Sequence, residues 1–442
     1  MRKVHLLIAI CMVFVMLVSC GQGTPPAQNG KDDTTPNNSV DADKPYAGTT
    51  IRFLASNHSW ADTVEPLLPE FEEKTGIKVN IEKFELNQTA EKATIELSSK
   101  NDTLDVVYIR PMSEGRMFIE NGWLEPVDQY WEGDAEFDAD DLMEAAKDAF
   151  TVDDVIYGAP VTTERQILYY RKDLLEEKNI PVSTTLDELY EAAVKLNNPE
   201  AGIAGIVSRG AASVTCFASY LFSFGGQYQD GTTSTLDTPE AAEAIKYYGK
   251  ILKDAGPDGI LNMTHAEVSA LFAQGQAAMI TEVDALYQSI ADPASTELSD
   301  KIGYARFPAG PAGSKPINSC SFGLGISAFS KNKDAAWEFI KWSVGKEINA
   351  KIHAAGAPTA RESAWADEEI NTGLPAEMVE AVKDSFEGSV GVDRPLTLNY
   401  PMVRDVIIPL LGQSMMNGGE NMEELIQNAN KEIQAVYDSY DK

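Results

Sequence analysis

The pattern of hydrophobic and polar positions between residues 50 and 109 predicts three strands separated by two helices. Residues 50–56 form a short apolar run, residues 77–84 alternate between apolar and polar side chains, and residues 104–109 form a run typical of a buried strand. A strand–helix order of this kind favours an open parallel sheet with helices on both faces.

Start and stop signals place the first of these helices. Asp62 and Glu65 have the spacing of a capping box, in which two side chains satisfy the first backbone N–H groups. Gly76 is typical of a residue just beyond a helix C-terminus. The second helix is predicted over residues 91–99. The apolar face of the first helix consists of Val64, Leu67, Leu68 and Phe71.

The same alternation continues through the middle and end of the chain. Thr185 and Glu188 form a second capping box, and Thr238 followed by Pro239 is a strong helix start. Short buried strands are predicted at residues 205–208, 277–281, 302–307 and 322–327. One stripe of the last helix is apolar and comprises Met422, Leu425, Ile426, Ala429, Ile433, Val436 and Tyr437.

The N-terminus resembles a bacterial lipoprotein signal. Arg2 and Lys3 precede an apolar run at residues 6–18, which is shorter than the ~20 residues of a membrane-spanning helix. A small residue then precedes Cys20, so residues 1–19 are predicted to be removed and Cys20 to be lipidated at the outer face of the cell membrane. An ordinary signal peptide with an incidental cysteine is the alternative. Polar residues 20–45 are predicted to form a flexible tether.

Length, charge and cysteine content limit the remaining possibilities. About 400 residues after the tether suggest two lobes rather than one core. A formal charge of −32 argues against nucleic acid as a partner, because phosphate binding needs a basic face. Cys216 and Cys320 either form one disulfide or stay as separate buried thiols. The histidines lack metal-ligand spacing, so neither a metal nor another cofactor is expected.

Seven segments of the chain form an ordered set of motifs. They read FEEKTGIKV at 71–79, DVVY at 105–108, NGWLEPV at 121–127, YGAPV at 157–161, LYYRKDL at 168–174, FAQGQAAM at 272–279 and SKNKDAAWEFI at 330–340. In this order they resemble the family 1 extracellular solute-binding proteins. The resemblance implies an α/β, two-lobed, periplasmic-binding-protein-like fold with a ligand cleft between the lobes and several crossovers.

The resemblance also implies lobe boundaries and partners. The N-terminal lobe is expected at residues 46–160 and 318–362, and the C-terminal lobe at 161–317 and 363–442. The protein is then expected to be a monomeric binding component that delivers a small carbohydrate to the permease of an ABC importer. It is not expected to be an enzyme.

Three candidate ligand contacts follow predicted strands, where ligands sit in open α/β sheets. Trp60 is expected to stack on a sugar ring, or else to pack as a hydrophobic staple on the following helix. Arg110 offers donors to vicinal hydroxyls or a carboxylate, with a surface salt bridge as the alternative. Arg209 is expected to face the cleft from the second lobe.

Charged and hydroxyl side chains near the expected crossovers complete the set. Glu164 and Arg165 follow the first crossover, where the family places a ligand-facing acidic or polar residue; the alternative is an ion pair near the hinge. Glu282 and Asp284 stand where many relatives carry a tryptophan, which casts doubt on a large oligosaccharide ligand. Further candidates near the crossovers and in the C-terminal segment are Ser319, Ser321 and Tyr400.

The candidate residues favour a neutral sugar or polyol as the ligand. If Arg110, Arg165 and Arg209 all faced the cleft, a uronate would be favoured instead, because a guanidinium left unpaired in a closed site is costly. A membrane-anchored glycoside hydrolase with two carboxylates is a further alternative, although the sequence contains none of the common hydrolase or phosphate-binding motifs. A purely structural lipoprotein would bind no small ligand.

Overall fold

The computed structural model describes residues 44–132, 134–210 and 214–440. The predicted signal peptide, Cys20 and nearly all of the predicted tether lie outside these residues. Within the described ranges, none of the helices combines the length and the apolar character needed to cross a bilayer.

The strands occur in chain order with helices between them. Their bounds are β1 Thr50–Ser56, β2 Lys78–Phe84, β3 Val106–Ile109, β4 Thr151–Val152, β5 Val155–Ile156, β6 Ala159–Arg171, β7 Gln229–Asp230, β8 Thr233–Ser234, β9 Met279–Val283, β10 Ile302–Arg306 and β11 Asn318–Ile326.

The helices vary from one turn to five turns. Those of the first part are α1 Ser59–Val64, α2 Leu68–Thr75, α3 Leu86–Ser98, α4 Arg116–Glu120, α5 Asp128–Trp131, α6 Glu144–Phe150, α7 Lys172–Lys178 and α8 Leu186–Leu196. Those of the second part are α9 Thr215–Ser223, α10 Pro239–Ala255, α11 His265–Ala273, α12 Tyr287–Ile290, α13 Lys333–Ser343, α14 Lys346–Ala354, α15 Glu362–Ala366, α16 Ala376–Asp384, α17 Tyr400–Asn417 and α18 Glu423–Tyr440.

One long strand, β6, joins two differently built halves of the molecule. Up to Arg165, β6 pairs with β11, which continues antiparallel onto β3 and then to the parallel strands β1 and β2. From Gln166 onward, β6 pairs with β9 and β10 instead. We call the part built on β1–β3 the β1 half. The part built on β9, β10 and the packed helices α8–α10, α17 and α18 is the α10 half.

The pairing of β6 with β11 contains two irregularities near the change of partner. Cys320 faces Thr163 and Phe322 faces Thr162, so Ser321 has no Cα partner on β6. A second shift follows between Phe322 and Gly323. Bulges of this kind re-aim side chains and are frequent beside functional sites.

Several local predictions are confirmed. Strand β1 has the predicted bounds, and β1, β2 and β3 are parallel. The capping box of Thr185 and Glu188 is present with both of its hydrogen bonds. Helix α10 starts at Pro239 with Thr238 as its N-cap. Along α18, the predicted stripe is buried except for Leu425, which is exposed.

Other local predictions are wrong in their details. Helix α1 starts at Ser59, and His58 rather than Asp62 supplies its N-cap, so the proposed capping box does not form. Helix α3 begins at Leu86, before the predicted residue 91. Residues 205–208 make only isolated bridges to the strand β9 region rather than a strand. In that segment the backbone of Gly205 and Ile206 instead donates to the end of α10.

Candidate ligand-binding site

Glu164 lies on β6, one residue before that strand changes partners. Its carboxylate accepts a hydrogen bond from Ser321, with 2.7 Å between Oγ and Oε2. The bulge leaves Ser321 without a pairing partner on β6, which frees that residue to point its hydroxyl at Glu164. Directly opposite Glu164, Ser319 is buried and its Oγ has no hydrogen-bond partner among the described residues. The two crossing strands therefore gather a carboxylate and two hydroxyls.

Four aromatic side chains from the β1 half pack beside this point. Tyr108 stacks on Phe322 with 5.4 Å between ring centroids, and the ring of His58 lies 4.7 Å from Phe322. Trp60 is buried 6.0 Å from Tyr108. Within the described part of the chain, the Tyr108 hydroxyl and the Trp60 Nε1 are buried without hydrogen-bond partners. Buried polar atoms are rarely left in this state, so these two mark this place as a candidate site.

The α10 half contributes an arginine–carboxylate pair. Arg209 donates from Nε and Nη2 to the two oxygens of buried Glu282, at 2.7 and 2.6 Å. The thiol of Cys216 lies 3.4 Å from the same carboxylate. Cys216 and Cys320 are both free and buried, so the structure has separate thiols rather than a disulfide.

A second pair comes from the segment between α16 and α17, residues 385–399, which we call the strap. Arg394 holds its neighbour Asp393 with two hydrogen bonds of 2.7 and 2.6 Å, and Thr215 donates to the same carboxylate at 2.8 Å. Arg394 also donates to the Ser113 hydroxyl at 2.9 Å and lies 5.3 Å from the ring centre of Tyr400. Ser113 belongs to the turn after β3, so this contact bridges the two halves.

Arg165 and Asp284 form a fully buried ion pair on the side of β6 opposite Glu164. The Nε of Arg165 donates to Oδ2 of Asp284 at 2.7 Å, and its backbone N–H donates to Oδ1 at 2.9 Å. Both side chains are fully buried. The guanidinium also lies 4.5 Å from the ring of Trp365 and 5.6 Å from that of Phe386. We interpret this pair as the structural ion pair that the sequence left open as an alternative.

Arg110 lies at the outer edge of the candidate site. Its guanidinium pairs with Glu114 four residues later, with 2.8 Å between Nε and Oε2. Both residues line a groove of about 570 Å³ between α3 of one half and the start of α17 of the other. Tyr400 and Arg394 line the same groove, which borders the strap.

Burial and neighbouring charges shift the pKa values of two groups in the site. Burial raises the pKa of Glu164 to about 7, and the charges of Asp284 and Asp393 add to this, while Ser321 and Arg209 oppose it. Burial lowers the pKa of His58 to about 4, so that ring is neutral at pH 7. By contrast, Arg394 and Thr215 overcome the effect of burial and hold the pKa of Asp393 below its ordinary value.

The structure brings together most, but not all, of the residues that the sequence singled out. Glu164, Ser319 and Ser321 meet at the crossing of β6 and β11, whereas Trp60 is buried in the β1 half against Tyr108 and Phe53. The remaining candidates are engaged in pairs or lie at the rim, namely Arg110, Arg165, Arg209, Glu282, Asp284 and Tyr400.

Sequence reasoning missed five residues of the site: His58, Tyr108, Phe322, Asp393 and Arg394. Tyr108 and Phe322 stand inside strand patterns, where an aromatic side chain is ordinarily core. Asp393 and Arg394 belong to a segment without periodicity, far from Glu164 in the sequence. Their adjacency at a loop before a helix start was the only available signal.

Comparison with known proteins identifies the family of this chain. Residues 57–350 match the family model described as bacterial extracellular solute-binding protein. A mannitol-binding protein of Pseudomonas aeruginosa is 28% identical over 62% of this chain, although the match spans only 65% of that protein. An erythritol/L-threitol-binding protein of Mycolicibacterium smegmatis is 26% identical, over 79% of this chain and 78% of the relative.

Comparison with solved structures supports the same family assignment. An ABC transporter solute-binding protein of Agrobacterium radiobacter K84, crystallised with ribitol, superposes with a TM-score of 0.77. It is 26% identical in sequence, and the alignment covers 89% of this chain and all of that one. The fold is thus the two-lobed α/β fold of periplasmic binding proteins, and the chain belongs to the bacterial extracellular solute-binding protein family.

Proposed function

We propose that this protein is the solute-binding component of an ABC importer and that it binds a small polyol or sugar at Glu164. The names of its relatives support this class of ligand, since they include mannitol-, erythritol- and threitol-binding proteins and a ribitol complex. The ribitol complex is itself described as an ABC transporter component. The permease of that importer is the proposed protein partner.

Our proposal that the ligand has no negative charge rests on one observation: the candidate arginines are already paired with carboxylates. A uronate ligand would require a guanidinium that is available to its carboxylate. Arg110, Arg165 and Arg209 are instead held by Glu114, Asp284 and Glu282 respectively. Recruiting Arg165 or Arg209 to a ligand would leave a fully buried carboxylate without a cation, which is costly. Arg110 lies at the outer edge with Glu114 as its partner. We therefore favour a ligand without a negative charge.

The groups beside Glu164 suit a hydroxyl-rich molecule. A carboxylate accepts hydrogen bonds from two hydroxyls at once. The unpartnered Ser319 and Tyr108 hydroxyls can donate or accept, and the unpartnered Trp60 Nε1 can donate. The partly exposed ring of Phe322, which stacks on Tyr108, offers an apolar surface to the C–H groups of a carbon chain.

The lipid anchor and the lobe boundaries are part of the same proposal. We propose that Cys20 is lipidated and holds a monomeric protein at the outer face of the membrane, with the lobes divided as in the family. Replacing Cys20 by serine is expected to move the protein from the membrane fraction to the soluble fraction. If both forms stay in the membrane fraction, the anchor does not depend on Cys20.

Binding to a panel of matched ligands tests the proposal. Ribitol, D-mannitol and erythritol would be compared with the corresponding aldonates by calorimetry and thermal shift on the purified protein. At a hundred times its dissociation constant, a ligand adds about 2.7 kcal/mol to the free energy of unfolding. We expect this shift with neutral polyols in the native protein and in a variant of the exposed Glu347, E347Q. Binding of the aldonates alone, or of nothing, would overturn the proposal.

A membrane-anchored hydrolase is not favoured by the site. The family consists of substrate-binding proteins rather than enzymes. A glycosidase needs a second carboxyl group beside the first to act as acid or nucleophile. Two carboxylates act on Glu164 through their charges, namely Asp284 and Asp393, and each is already paired with an arginine. We propose that the protein has no hydrolytic activity, which incubation with nitrophenyl glycosides would check.

A further inference from the structure

The carboxylates around the crossing of β6 and β11 differ in their partners: three are fully buried and paired, whereas Glu164 is partly exposed. Glu282, Asp284 and Asp393 each pair with an arginine at 2.6 Å. Glu164 pairs with none: within the described residues, its side chain has one hydrogen-bond partner, the Ser321 hydroxyl. A carboxylate that is largely withdrawn from water is ordinarily compensated by a cation, so the partly exposed Glu164 is the exception in its cluster.

The charges that face Glu164 do not replace the missing cation. Asp284 and Asp393 face it with negative charge, and the positive charge of Arg209 is already taken by Glu282. The remaining neighbours, Tyr108 and Cys320, have pKa values raised by burial and are neutral at pH 7. His58, on the aromatic wall, is also neutral at that pH. The free protein thus keeps a carboxyl group with no counter-charge at the centre of the proposed site.

We propose that the ligand supplies this cation: the natural ligand is an amino polyol or amino sugar whose protonated amino group pairs with Glu164. This inference rests on the proposed function and narrows its ligand class. The ammonium group would donate to the Glu164 oxygen that Ser321 leaves open, and a charged hydrogen bond of this kind is roughly twice as strong as a neutral one.

Two independent observations point to a ligand at this place. The Tyr108 hydroxyl and the Ser319 hydroxyl are more than nine-tenths buried, lie beside Glu164 and have no hydrogen-bond partners among the described residues. In addition, the partly exposed ring of Phe322, which stacks on Tyr108, is the kind of aromatic group that attracts an organic cation. Hydroxyls and an aromatic face together suit a molecule that has both hydroxyl and ammonium groups.

A neutral polyol can also donate to Glu164, but it leaves the charge uncompensated. Burial already raises the pKa of Glu164 to about 7, so the group is only partly ionised at neutral pH. An ammonium group would stabilise the ionised form, whereas a hydroxyl does so only weakly. The amine should therefore gain affinity over its neutral counterpart, and that gain should depend on the negative charge of Glu164.

Matched ligand pairs test this inference. D-glucitol would be compared with 1-amino-1-deoxy-D-glucitol, and ribitol with 1-amino-1-deoxyribitol, by calorimetry at pH 7 on the full chain. We expect each amine to bind about tenfold more tightly than its neutral partner. Glu164→Gln should remove this preference, Glu164→Asp should retain part of it, and the control E347Q should leave it unchanged. The thermal transition of each variant, measured without ligand, confirms that it is folded.

The possible outcomes separate the two proposals. If the neutral polyols bind and the amines bind equally or more weakly, the amine inference is overturned and the proposed function stands. If the amine preference survives in Glu164→Gln, the cation is recognised elsewhere and the inference is again overturned. If neither member of any pair binds, the ligand class itself is wrong, and the proposed function falls with the inference.

Discussion

Glu164 and Arg165 are neighbours on β6 but face opposite environments. Side chains alternate along a strand, so these two point to opposite sides of the sheet. Arg165 is fully buried against Trp365 and is matched by Asp284. Glu164 is only partly enclosed, has no arginine, and lies beside unpartnered hydroxyls. On one face of the strand the charged side chain is buried and has an ion-pair partner, and on the other it has no ion-pair partner among the described residues.

The difference separates a charge that holds the fold from a charge that is available for binding. Both residues are charged and adjacent in the chain, and the sequence favoured Glu164 for binding only through the family resemblance. The partner atoms make the difference. The charges of a matched ion pair already compensate each other, whereas a carboxylate without a cation is stabilised by a ligand that donates to it. The predictions below test this contrast, from the largest expected effect to the smallest.

The largest effect is expected from breaking the fully buried ion pair. Arg165→Met leaves the buried carboxylate of Asp284 without a cation, which should lower the free energy of unfolding by about 3–5 kcal/mol. Chemical denaturation of the variant and the native protein would measure this. The double variant with Asp284→Asn should recover part of the loss. A single variant as stable as the native protein would show that the pair has no structural role.

The ionisation of Glu164 should appear as a pH dependence of stability. Its pKa is about 7 in the folded protein against an ordinary 4.5, so the folded state holds this proton more tightly than the unfolded state. Stability from this group is therefore complete below about pH 4.5 and is lost as the pH rises through 7, by about 3 kcal/mol in total. Denaturation of native protein and E164Q between pH 4.5 and 8 would measure the difference.

The native protein must be compared with E164Q because His58 also makes stability depend on pH. Its pKa is lowered to about 4, so its contribution to stability has the opposite sign and is lost as the pH falls below its ordinary 6.5. Because His58 is present in both proteins, it cancels from the difference between them. A difference that is constant with pH would contradict the raised pKa of Glu164.

Loss of the carboxylate should weaken binding without harming the fold. Glu164→Gln keeps the shape of the side chain but replaces an ionised acceptor, so affinity for a neutral polyol should fall about tenfold. Calorimetry would measure the dissociation constants. The exposed control E347Q should bind as the native protein does, and unchanged binding by Glu164→Gln would remove Glu164 from the site.

The smallest effect is expected at the contact between the halves. Ser113→Ala removes the hydrogen bond from Arg394 and leaves the pairing of Arg394 with Asp393 in place. The loss of one such bond costs about 0.5–1.5 kcal/mol, which should speed ligand release by a few-fold. Stopped-flow measurement of tryptophan fluorescence would follow release, since Trp60 packs against Tyr108. An unchanged release rate would show that this contact does not help to retain the ligand.

Much of the fold follows from the sequence because its signals are local. The alternation between strand-like and helix-like spacing of apolar residues predicts β1–β3. The capping residues Thr185 and Thr238 predict two helix starts correctly. The first helix start was misplaced because an Asp–Glu spacing occurs by chance in an acidic chain. There, the side chain of His58 accepts the hydrogen bond from the Trp60 N–H that caps the helix.

The site was only partly predictable because its contacts are long-range. Ser319 and Glu164 face each other through strand pairing across more than 150 positions, which the family resemblance suggested but no spacing could show. The strap brings Arg394 to Ser113 over a still greater separation. Whether an arginine faces a ligand or a carboxylate depends on such pairings, so the sequence left Arg110, Arg165 and Arg209 undecided.

The shared strand β6 also has a consequence for how the protein unfolds. Its thirteen residues supply backbone hydrogen bonds to both halves without an intervening linker. Neither half can lose its sheet without releasing the edge of the other, so we expect calorimetry to show a single heat-absorption peak rather than two. Two halves that share one strand are therefore expected to melt as a single unit.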